Sequence, residues 1–227
     1  MTIVSIHQPQ YLPWFFYFQK ILESDFFVFL DNIQFQKNGI QNRNQIKNKD
    51  GALWITVPVK RSLNSKINEV EIDNIKNWKK KHLKTIEESY SKSKFYSYYK
   101  EEFEDLYSFD FKNLCSFNIE LIKFFLKKMD INTKIFLASE MNVTGSKSEL
   151  LLQICKKLKS DIYLSGPGGK GYLDENLFKN NKVEIQYIKY KNIINYEQPF
   201  QKLGHIKNLS ILDFIFNVGK NWKNYIK

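Results

Sequence analysis

The first thirty residues alternate between apolar runs and a helical pattern. Residues 2–6 form a short β-branched run, and residues 25–31 form an apolar run between two aspartates. Between them, residues 11–23 carry apolar side chains at helical spacing, with Pro13 where a first helical turn tolerates proline. A strand, a crossover helix and a second strand take about 30 residues, so the pattern predicts two buried parallel strands.

The middle of the chain predicts small strands and a block of helices. Residues 32–49 are rich in asparagine, glutamine and lysine, which indicates a polar excursion outside the core. Residues 53–59, closed by Pro58, and residues 69–72 resemble strands. Three segments have helical period, and they predict a helical insertion over about residues 75–130: 75–90, 101–109 and 113–129.

The last third of the sequence again alternates between strand-like and helix-like segments. Residues 134–138, 162–164 and 183–190 resemble strands, and residues 175–178 and 209–218 resemble helices. Ser146 and Glu149 have the spacing of a capping box, which predicts a helix that ends near residue 158. The alternation at both ends predicts one α/β domain over residues 1–227, with a Rossmann-like, mostly parallel sheet that the helical insertion interrupts.

Composition indicates a globular chain. Of its 227 residues, 43% are hydrophobic, and no stretch approaches the roughly 20 apolar residues of a membrane span. The N-terminus lacks the basic region of a signal peptide, so we expect a cytoplasmic protein without a transmembrane segment. Cys115 and Cys155 lie in helix-like apolar patterns, and we expect buried thiols with no metal.

The net charge of +11 comes almost entirely from scattered lysines. Arginine, which contacts phosphates and base edges with two hydrogen bonds, occurs only at Arg43 and Arg61. We therefore expect a mostly solvated basic surface and no nucleic-acid partner, with a small anionic ligand as the alternative.

Polar residues follow the predicted strands at the points where the strands end. The carboxyl ends of parallel strands form one edge of a sheet, which is where open α/β sheets bind ligands. His7 can act there as a general base or can satisfy a loop carbonyl, and Asp31 can orient the imidazole or hold an amine, or else cap a turn. The other candidates at these strand ends are Gln8, Tyr11, Gln34, Lys37, Ser165, Gly166, Gly168, Gly169, Lys170 and Tyr172.

Three further features carry candidate chemistry. The guanidinium of Arg43 lies between Asn42 and Asn44, a set suited to phosphate or sugar hydroxyls, although a flexible surface loop has the same composition. The glycine-rich segment 165–172 can present backbone N–H groups to an anion through positive-φ glycines, or it is a plain turn into a helix. His82, on a lysine-rich helix, is favoured as a partly buried structural residue over a binding residue.

The longer motifs resemble the WbqC-like family. They are I-H-Q-P-Q-Y-L-P-W at residues 6–14, F-F-V-F-L-D-N-I-Q-F-Q-K at 26–37, N-R-N-Q-I-K at 42–47, W-I-T-V-P-V at 54–59, Y-L-S-G-P-G-G-K-G-Y-L at 163–173 and S-I-L-D at 210–213. The resemblance spans nearly the whole chain in order, and departs from the family pattern at Phe15 and Phe16. It implies a role in bacterial polysaccharide and O-antigen biosynthesis.

The strand, the histidine-containing turn and the helix are also similar to the nucleotide-binding fold of pantothenate synthetase and related nucleotidyltransferases. Those enzymes have two histidines in the first turn, whereas this chain has only His7. This second likeness implies the fold and leaves ATP as one alternative cofactor beside an acyl donor.

From these features we expect a transferase that moves an acyl or aminoacyl group to the amine of a nucleotide-linked amino sugar. His7 and Asp31 would be catalytic, and Arg43 with the backbone at Gly168 and Gly169 would bind pyrophosphate. The alternatives are an ATP-dependent amide ligase or nucleotidyltransferase, and a non-catalytic protein that binds glycan intermediates. Formation of a homo-oligomer is left open.

Overall fold

A computed structural model describes residues 1–60 and 64–227, so that Arg61, one of the two arginines, lies outside the described residues. The strands are β1 (Ile3–His7), β2 (Phe26–Phe29), β3 (Arg43–Asn48), β4 (Gly51–Thr56), β5 (Val59–Lys60), β6 (Glu71–Ile72), β7 (Lys134–Leu137), β8 (Ile162–Ser165) and β9 (Glu184–Tyr187). The α-helices are α1 (Phe15–Leu22), α2 (Trp78–Tyr90), α3 (Tyr96–Ser108), α4 (Leu114–Lys128), α5 (Lys147–Lys157), α6 (Glu175–Asn180) and α7 (Ile211–Val218).

The chain divides into two compact units, and neither unit is continuous in sequence. Unit 1 contains residues 1–9, 16–33 and 131–190, and unit 2 contains residues 10–15, 34–130 and 191–227. The expected helical insertion corresponds to α2, α3 and α4, which all lie in unit 2.

Unit 1 is a Rossmann-like α/β structure. Its five strands are all parallel, in the order β7-β2-β1-β8-β9. Val28 packs on one face of the sheet in a core with α5 and α6, and Phe27, which points to the opposite face, lies 5.6 Å from the Tyr17 ring of α1. Helices therefore cover both faces, as the near-continuous apolar strands predict.

In its described residues, unit 2 combines two antiparallel strand pairs with four α-helices. β3 pairs with β4, and β5 pairs with β6. Helices α3, α4 and α7 contribute aromatic side chains to one cluster, in which the Phe103 ring lies 6.2 Å from Phe125 and 6.0 Å from Phe216. Within the described part of the chain, no helix combines the length and the apolar run that crossing a bilayer requires.

The prediction for residues 32–49 is wrong, because this segment contains β3. Its polar residues are buried: Asn42, Asn44 and Lys47 are at most 8% exposed. Each donates a hydrogen bond to a backbone carbonyl far along the chain, which replaces the water lost on burial. Composition could not reveal these partners.

Two predicted boundaries shift, and one predicted cap is absent, for local reasons. Pro58 separates β4 from β5, so that residues 53–59 are not one strand. Helix α3 begins at Tyr96, because Tyr96 and Tyr99 extend the buried stripe of Phe103 and Tyr107 backward. Helix α5 begins after Ser146 as expected, but the Glu149 N–H donates to the Ser146 carbonyl and the predicted side-chain cap is not formed.

Candidate functional site

His7 ends β1 and lies half-buried at the carboxyl edge of the unit 1 sheet. Its Nδ1 is 3.2 Å from the Gln8 carbonyl oxygen, so Nδ1 carries the proton and donates it, and Nε2 is the basic nitrogen. The Tyr17 ring contacts the imidazole edge-on at 4.9 Å, and the Tyr17 hydroxyl donates to the Gln8 carbonyl at 3.0 Å. The tautomer and the orientation of the imidazole are therefore both defined.

Lys20, which sequence reasoning missed, is a second base beside this strand end. It lies on α1, is 3% exposed, and donates from Nζ to the Ile6 carbonyl at 2.8 Å. Burial lowers the pKa of Lys20 to about 7, and burial together with the Lys20 charge lowers the pKa of His7 to about 3. The one signal in the sequence is a lysine in a mostly apolar helix, and the many other lysines of the chain obscure it.

Asp31 follows β2 and holds the turn that follows β7. One carboxylate oxygen accepts from the Ser139 N–H at 2.9 Å and the other from the Ser139 hydroxyl at 2.6 Å. Ser139 belongs to a single turn of 3₁₀ helix, Ala138–Glu140, directly after β7. Asp31 thus holds the turn after the neighbouring strand β7, and its assignment as a catalytic residue stays a prediction.

The glycine-rich segment after β8 forms a short 3₁₀ helix, Pro167–Gly171. Gly169 is buried, its N–H donates to the Gly166 carbonyl at 3.0 Å, and a Cβ on it would lie 2.2 Å from the Ser165 Oγ. Gly166, Gly168 and Gly169 have no positive φ, so the expected anion-binding turn of positive-φ glycines is not formed. Close packing accounts for the glycine at position 169.

The side chains of this segment differ in exposure. Ser165 is buried and its hydroxyl donates to the Gly166 carbonyl at 3.1 Å. Gly168, Lys170 and Tyr172 are exposed, and the Lys170 ammonium lies 5.2 Å from the centre of the Tyr187 ring. Lys170 is therefore the charged group that this segment presents to solvent.

In unit 2, Tyr11 and His82 belong to one buried hydrogen-bond chain. The Tyr11 hydroxyl lies 2.8 Å from His82 Nδ1 and 2.5 Å from the Tyr107 hydroxyl, and His82 Nε2 lies 3.2 Å from the Thr56 carbonyl. Since a carbonyl can only accept, Nε2 is protonated and Tyr11 donates to Nδ1. Burial lowers the pKa of His82 to about 4, which keeps the ring neutral. This arrangement matches the structural interpretation of His82.

The side chains of Asn42, Arg43 and Asn44 also make their hydrogen bonds within unit 2. Asn42 donates to the Val57 carbonyl at 2.9 Å, and Asn44 donates to the Leu12 carbonyl at 2.7 Å. The Arg43 guanidinium donates to the Asn38 carbonyl at 2.5 Å and lies 4.5 Å from the centre of the Trp54 ring. These contacts join strands and turns. The three residues therefore form neither a flexible surface loop nor an exposed pair of amides.

Gln34 and Lys37 are exposed in the segment before β3. The Gln34 side chain donates to Asn64 at 3.4 Å. The candidate residues thus divide between the units. Unit 1 has His7, Gln8, Asp31, Ser165, Gly166, Gly168, Gly169, Lys170 and Tyr172 at the carboxyl ends of parallel strands, and unit 2 has Tyr11, Gln34, Lys37, Asn42, Arg43, Asn44 and His82.

Metal-ligating side chains do not cluster in the described residues: no group of three or more His, Cys, Asp or Glu residues is arranged to hold an ion. Both cysteines are buried, and burial raises the pKa of Cys155 to about 12. The titratable groups with strongly lowered pKa at the sheet edge are therefore His7 and Lys20.

A parallel sheet with helices on both faces and two lowered-pKa bases at a strand end defines a Rossmann-like α/β protein with a candidate ligand site. The chain belongs to the WbqC-like protein family, whose profile matches residues 8–225. It is 31% identical over 230 residues to a Mycobacterium tuberculosis protein named "Uncharacterized protein Rv1507c", covering 100% of this chain and 98% of that relative. No solved structure matches the chain significantly.

Proposed function

We propose that the protein is an enzyme of surface-glycan sugar biosynthesis that transfers an acyl or aminoacyl group to the amine of a nucleotide-linked amino sugar. Membership in the WbqC-like family supports the pathway, because motifs along nearly the whole chain carry the likeness. The proposal includes a cytoplasmic location. Its partner is a nucleotide-linked sugar held at the carboxyl edge of the unit 1 sheet.

The observation that carries the proposal is the pair His7 and Lys20 at the end of β1. Near neutral pH, a pKa of about 3 leaves His7 uncharged and a pKa of about 7 leaves Lys20 half protonated. An uncharged imidazole whose Nδ1 donates to the Gln8 carbonyl carries its basic lone pair on Nε2. Amide formation needs such a group, because the attacking amine must lose a proton.

The reaction balances with His7 as proton carrier. The neutral sugar amine attacks the acyl carbonyl, the new C–N bond forms, and the carbonyl electron pair moves to oxygen. The nitrogen of this tetrahedral intermediate is cationic and far more acidic than a free ammonium, so Nε2 of low basicity can accept its proton. The intermediate then expels the leaving group of the donor with its electron pair, and the proton passes to that group.

Lys20 acts through His7 as a positioning residue. Its ammonium lowers the pKa of His7, so protonation of Lys20 weakens the base. Asp31 fixes Ser139 and so holds the turn that follows β7 at the carboxyl edge of the sheet. For the pyrophosphate, the proposal relies on the exposed Lys170, since Arg43 is engaged within unit 2.

The proposal is tested by incubating the protein with nucleotide-linked amino sugars and acyl or aminoacyl donors, with the product detected by mass spectrometry. His7→Asn keeps an amide donor near the Nδ1 position but lacks Nε2, and we expect kcat to fall about 100-fold with KM little changed. For the wild type, kcat should fall as pH drops through about 7, the pKa of Lys20. In Lys20→Met this step should disappear.

Lys179→Met, an exposed lysine of α6, is the matched control and should leave kcat and its pH profile unchanged. Unchanged turnover in His7→Asn would remove the assigned role. Binding of the sugar nucleotide without any product would replace the transferase by a binding protein. Release of AMP or pyrophosphate from ATP during turnover would favour a ligase instead.

A further inference from the structure

Unit 2 contains a cavity of about 1140 Å³ that opens to solvent. Two segments supply most of its wall, the turn between α2 and α3 and residues 195–203. Small-molecule sites usually enclose about 300–1,000 Å³, so this cavity can hold a ligand of that class. Its lining contains none of the residues of the proposed transferase site.

The rim of the cavity has an excess of positive charge. Lys49, Lys92, Lys94 and Lys202 line it, and across residues 1–60 and 64–227 none of the four forms an ion pair with a carboxylate. Among its described residues the lining has only two acidic ones, and each has a partner of its own. Glu88 lies 3.8 Å from the Lys84 ammonium, and Glu197 accepts from Gln201 at 3.4 Å. The charge therefore favours an anionic ligand.

Two buried hydroxyls in the lining lack hydrogen-bond partners within the described residues. Ser89 is 4% exposed and Ser93 is 8% exposed, and the Oγ atom of each is enclosed. A buried hydroxyl without a partner costs free energy, and such groups are uncommon in folded proteins. Rotation of each serine side chain toward the cavity would bring its hydroxyl to a ligand with hydroxyl or phosphate oxygens, which would supply the missing partner.

A buried polar network fixes one wall. The Gln198 Oε1 accepts from the Lys47 ammonium at 3.2 Å, and the Gln198 Nε2 donates to the Asp213 carboxylate at 2.6 Å. The Tyr196 hydroxyl donates to the same carboxylate oxygen at 2.6 Å. Gln198 thus bridges a buried cation and a buried anion, and the wall that carries it is set before a ligand arrives.

An aromatic residue in this wall has a strained backbone. Phe200 has φ of 56° and ψ of 52°, the left-handed conformation that bulky residues rarely adopt. Strained residues concentrate at ligand sites, where the surrounding structure holds them in place. The aromatic residues Tyr196, Phe200 and Tyr225 line the cavity together with Asn195 and Asn217.

We propose that this cavity binds a phosphorylated saccharide. The lysines pair with the phosphate, the serine hydroxyls and side-chain amides hydrogen-bond the sugar hydroxyls, and the rings pack on the apolar face of the sugar. The assignment is independent of the transferase proposed above, because the cavity residues and the residues around β1 belong to different sets.

Calorimetric titration with glucose 6-phosphate, glucose and inorganic phosphate tests the site. Glucose 6-phosphate should bind more tightly than glucose or phosphate alone, since it engages both the lysines and the hydroxyl partners. The double variant Lys92→Gln/Lys94→Gln should weaken glucose 6-phosphate binding about tenfold or more. The matched control is Lys80→Gln/Lys81→Gln, two exposed lysines of α2 outside the lining, which should change affinity less than about twofold.

A second variant separates binding from folding. Ser89→Ala/Ser93→Ala should weaken glucose 6-phosphate binding while the free energy of unfolding stays constant or rises, because two unpartnered hydroxyls are removed. The proposal is overturned if glucose 6-phosphate does not bind, if phosphate alone binds equally well, or if the control lysine pair weakens binding as much. Tighter binding of a single-stranded RNA than of the sugar phosphate would also overturn it, because the lysines would then form a polyanion surface.

Discussion

Tyr11, His82 and Tyr107 show how single polar side chains are accommodated in the interior of unit 2. Tyr107 donates to Tyr11, Tyr11 donates to His82 Nδ1, and His82 Nε2 donates to the Thr56 carbonyl. Each donor in the chain has an acceptor, so burial leaves no group unsatisfied. This series of hydrogen bonds requires an uncharged His82, and the lowered pKa of His82 keeps the ring uncharged.

Tyr11→Phe should lower the free energy of unfolding by about 1–3 kcal/mol. The substitution keeps the ring but leaves the buried His82 Nδ1 and the Tyr107 hydroxyl without their common partner. Urea unfolding followed by circular dichroism measures the change. Tyr98→Phe, at a side chain that is 53% exposed, is the control and should shift stability by less than about 0.5 kcal/mol. Equal effects of the two substitutions would contradict a stabilising role for the buried hydrogen bonds of Tyr11.

At the scale of elements, the junction between β8 and the 3₁₀ helix depends on one close approach. Gly169 packs on the Ser165 side chain, and a Cβ there would also lie 2.9 Å from Leu173. Gly168, its neighbour, has nothing within 4 Å of the corresponding Cβ position. The two adjacent glycines therefore differ in the space that is available for a Cβ atom.

Gly169→Ala should destabilise the protein by about 1–3 kcal/mol, because Ser165 and Leu173 must move to admit the methyl group. Gly168→Ala should be neutral or stabilising by up to about 1 kcal/mol, since it only restricts the unfolded chain. Thermal unfolding of the two variants side by side gives the comparison. A smaller loss for Gly169→Ala than for Gly168→Ala would refute the packing argument.

The sequence predicts the elements that are buried through apolar side chains. Strands β1, β2 and β8 and helices α2 and α4 follow from apolar runs or apolar stripes, because burial of such side chains is what drives their formation. Strand β3 was missed because Asn44 and Lys47 are buried through hydrogen bonds to Leu12 and Gly204. Those partners are distant in sequence, and no local pattern encodes them.

The same distinction holds for the candidate site. The strand-end rule located His7 and Asp31 at the carboxyl edge of the sheet, because it depends on topology alone. It could not find Lys20, whose importance arises from burial against the Ile6 carbonyl. Nor could glycine content distinguish an anion-binding turn from the close packing at Gly169.

At the scale of the whole molecule, three bases with lowered pKa values make stability depend on pH. The pKa values of His7 and His82 are lowered to about 3 and about 4, and that of Lys20 to about 7. In each case the unfolded chain holds a proton over a pH range in which the folded chain has lost it. Stability therefore rises with pH through each of these ranges.

For Lys20 this range runs from about pH 7 to its ordinary pKa of 10.5, so stability should rise there by at most about 1.4 kcal/mol per pH unit. The lowered pKa of Lys47 adds to the slope in every variant, so the comparison with Lys20→Met isolates the contribution of Lys20. Urea unfolding at pH 7, 8 and 9 should give a smaller slope for Lys20→Met than for the wild type. Lys179→Met should keep the wild-type slope, and parallel curves for wild type and Lys20→Met would contradict the buried-amine assignment.

Because each unit is assembled from three separate stretches, no single cleavage point separates one unit from the other. A fragment that ends near residue 130 keeps β1 and β2 but loses β7, β8 and β9, and one that begins there loses the strand that carries His7. Truncation therefore cannot assign an activity to either unit. The two units have to be tested by point variants in the intact chain, with substitutions at His7 for unit 1 and at Lys92 for unit 2.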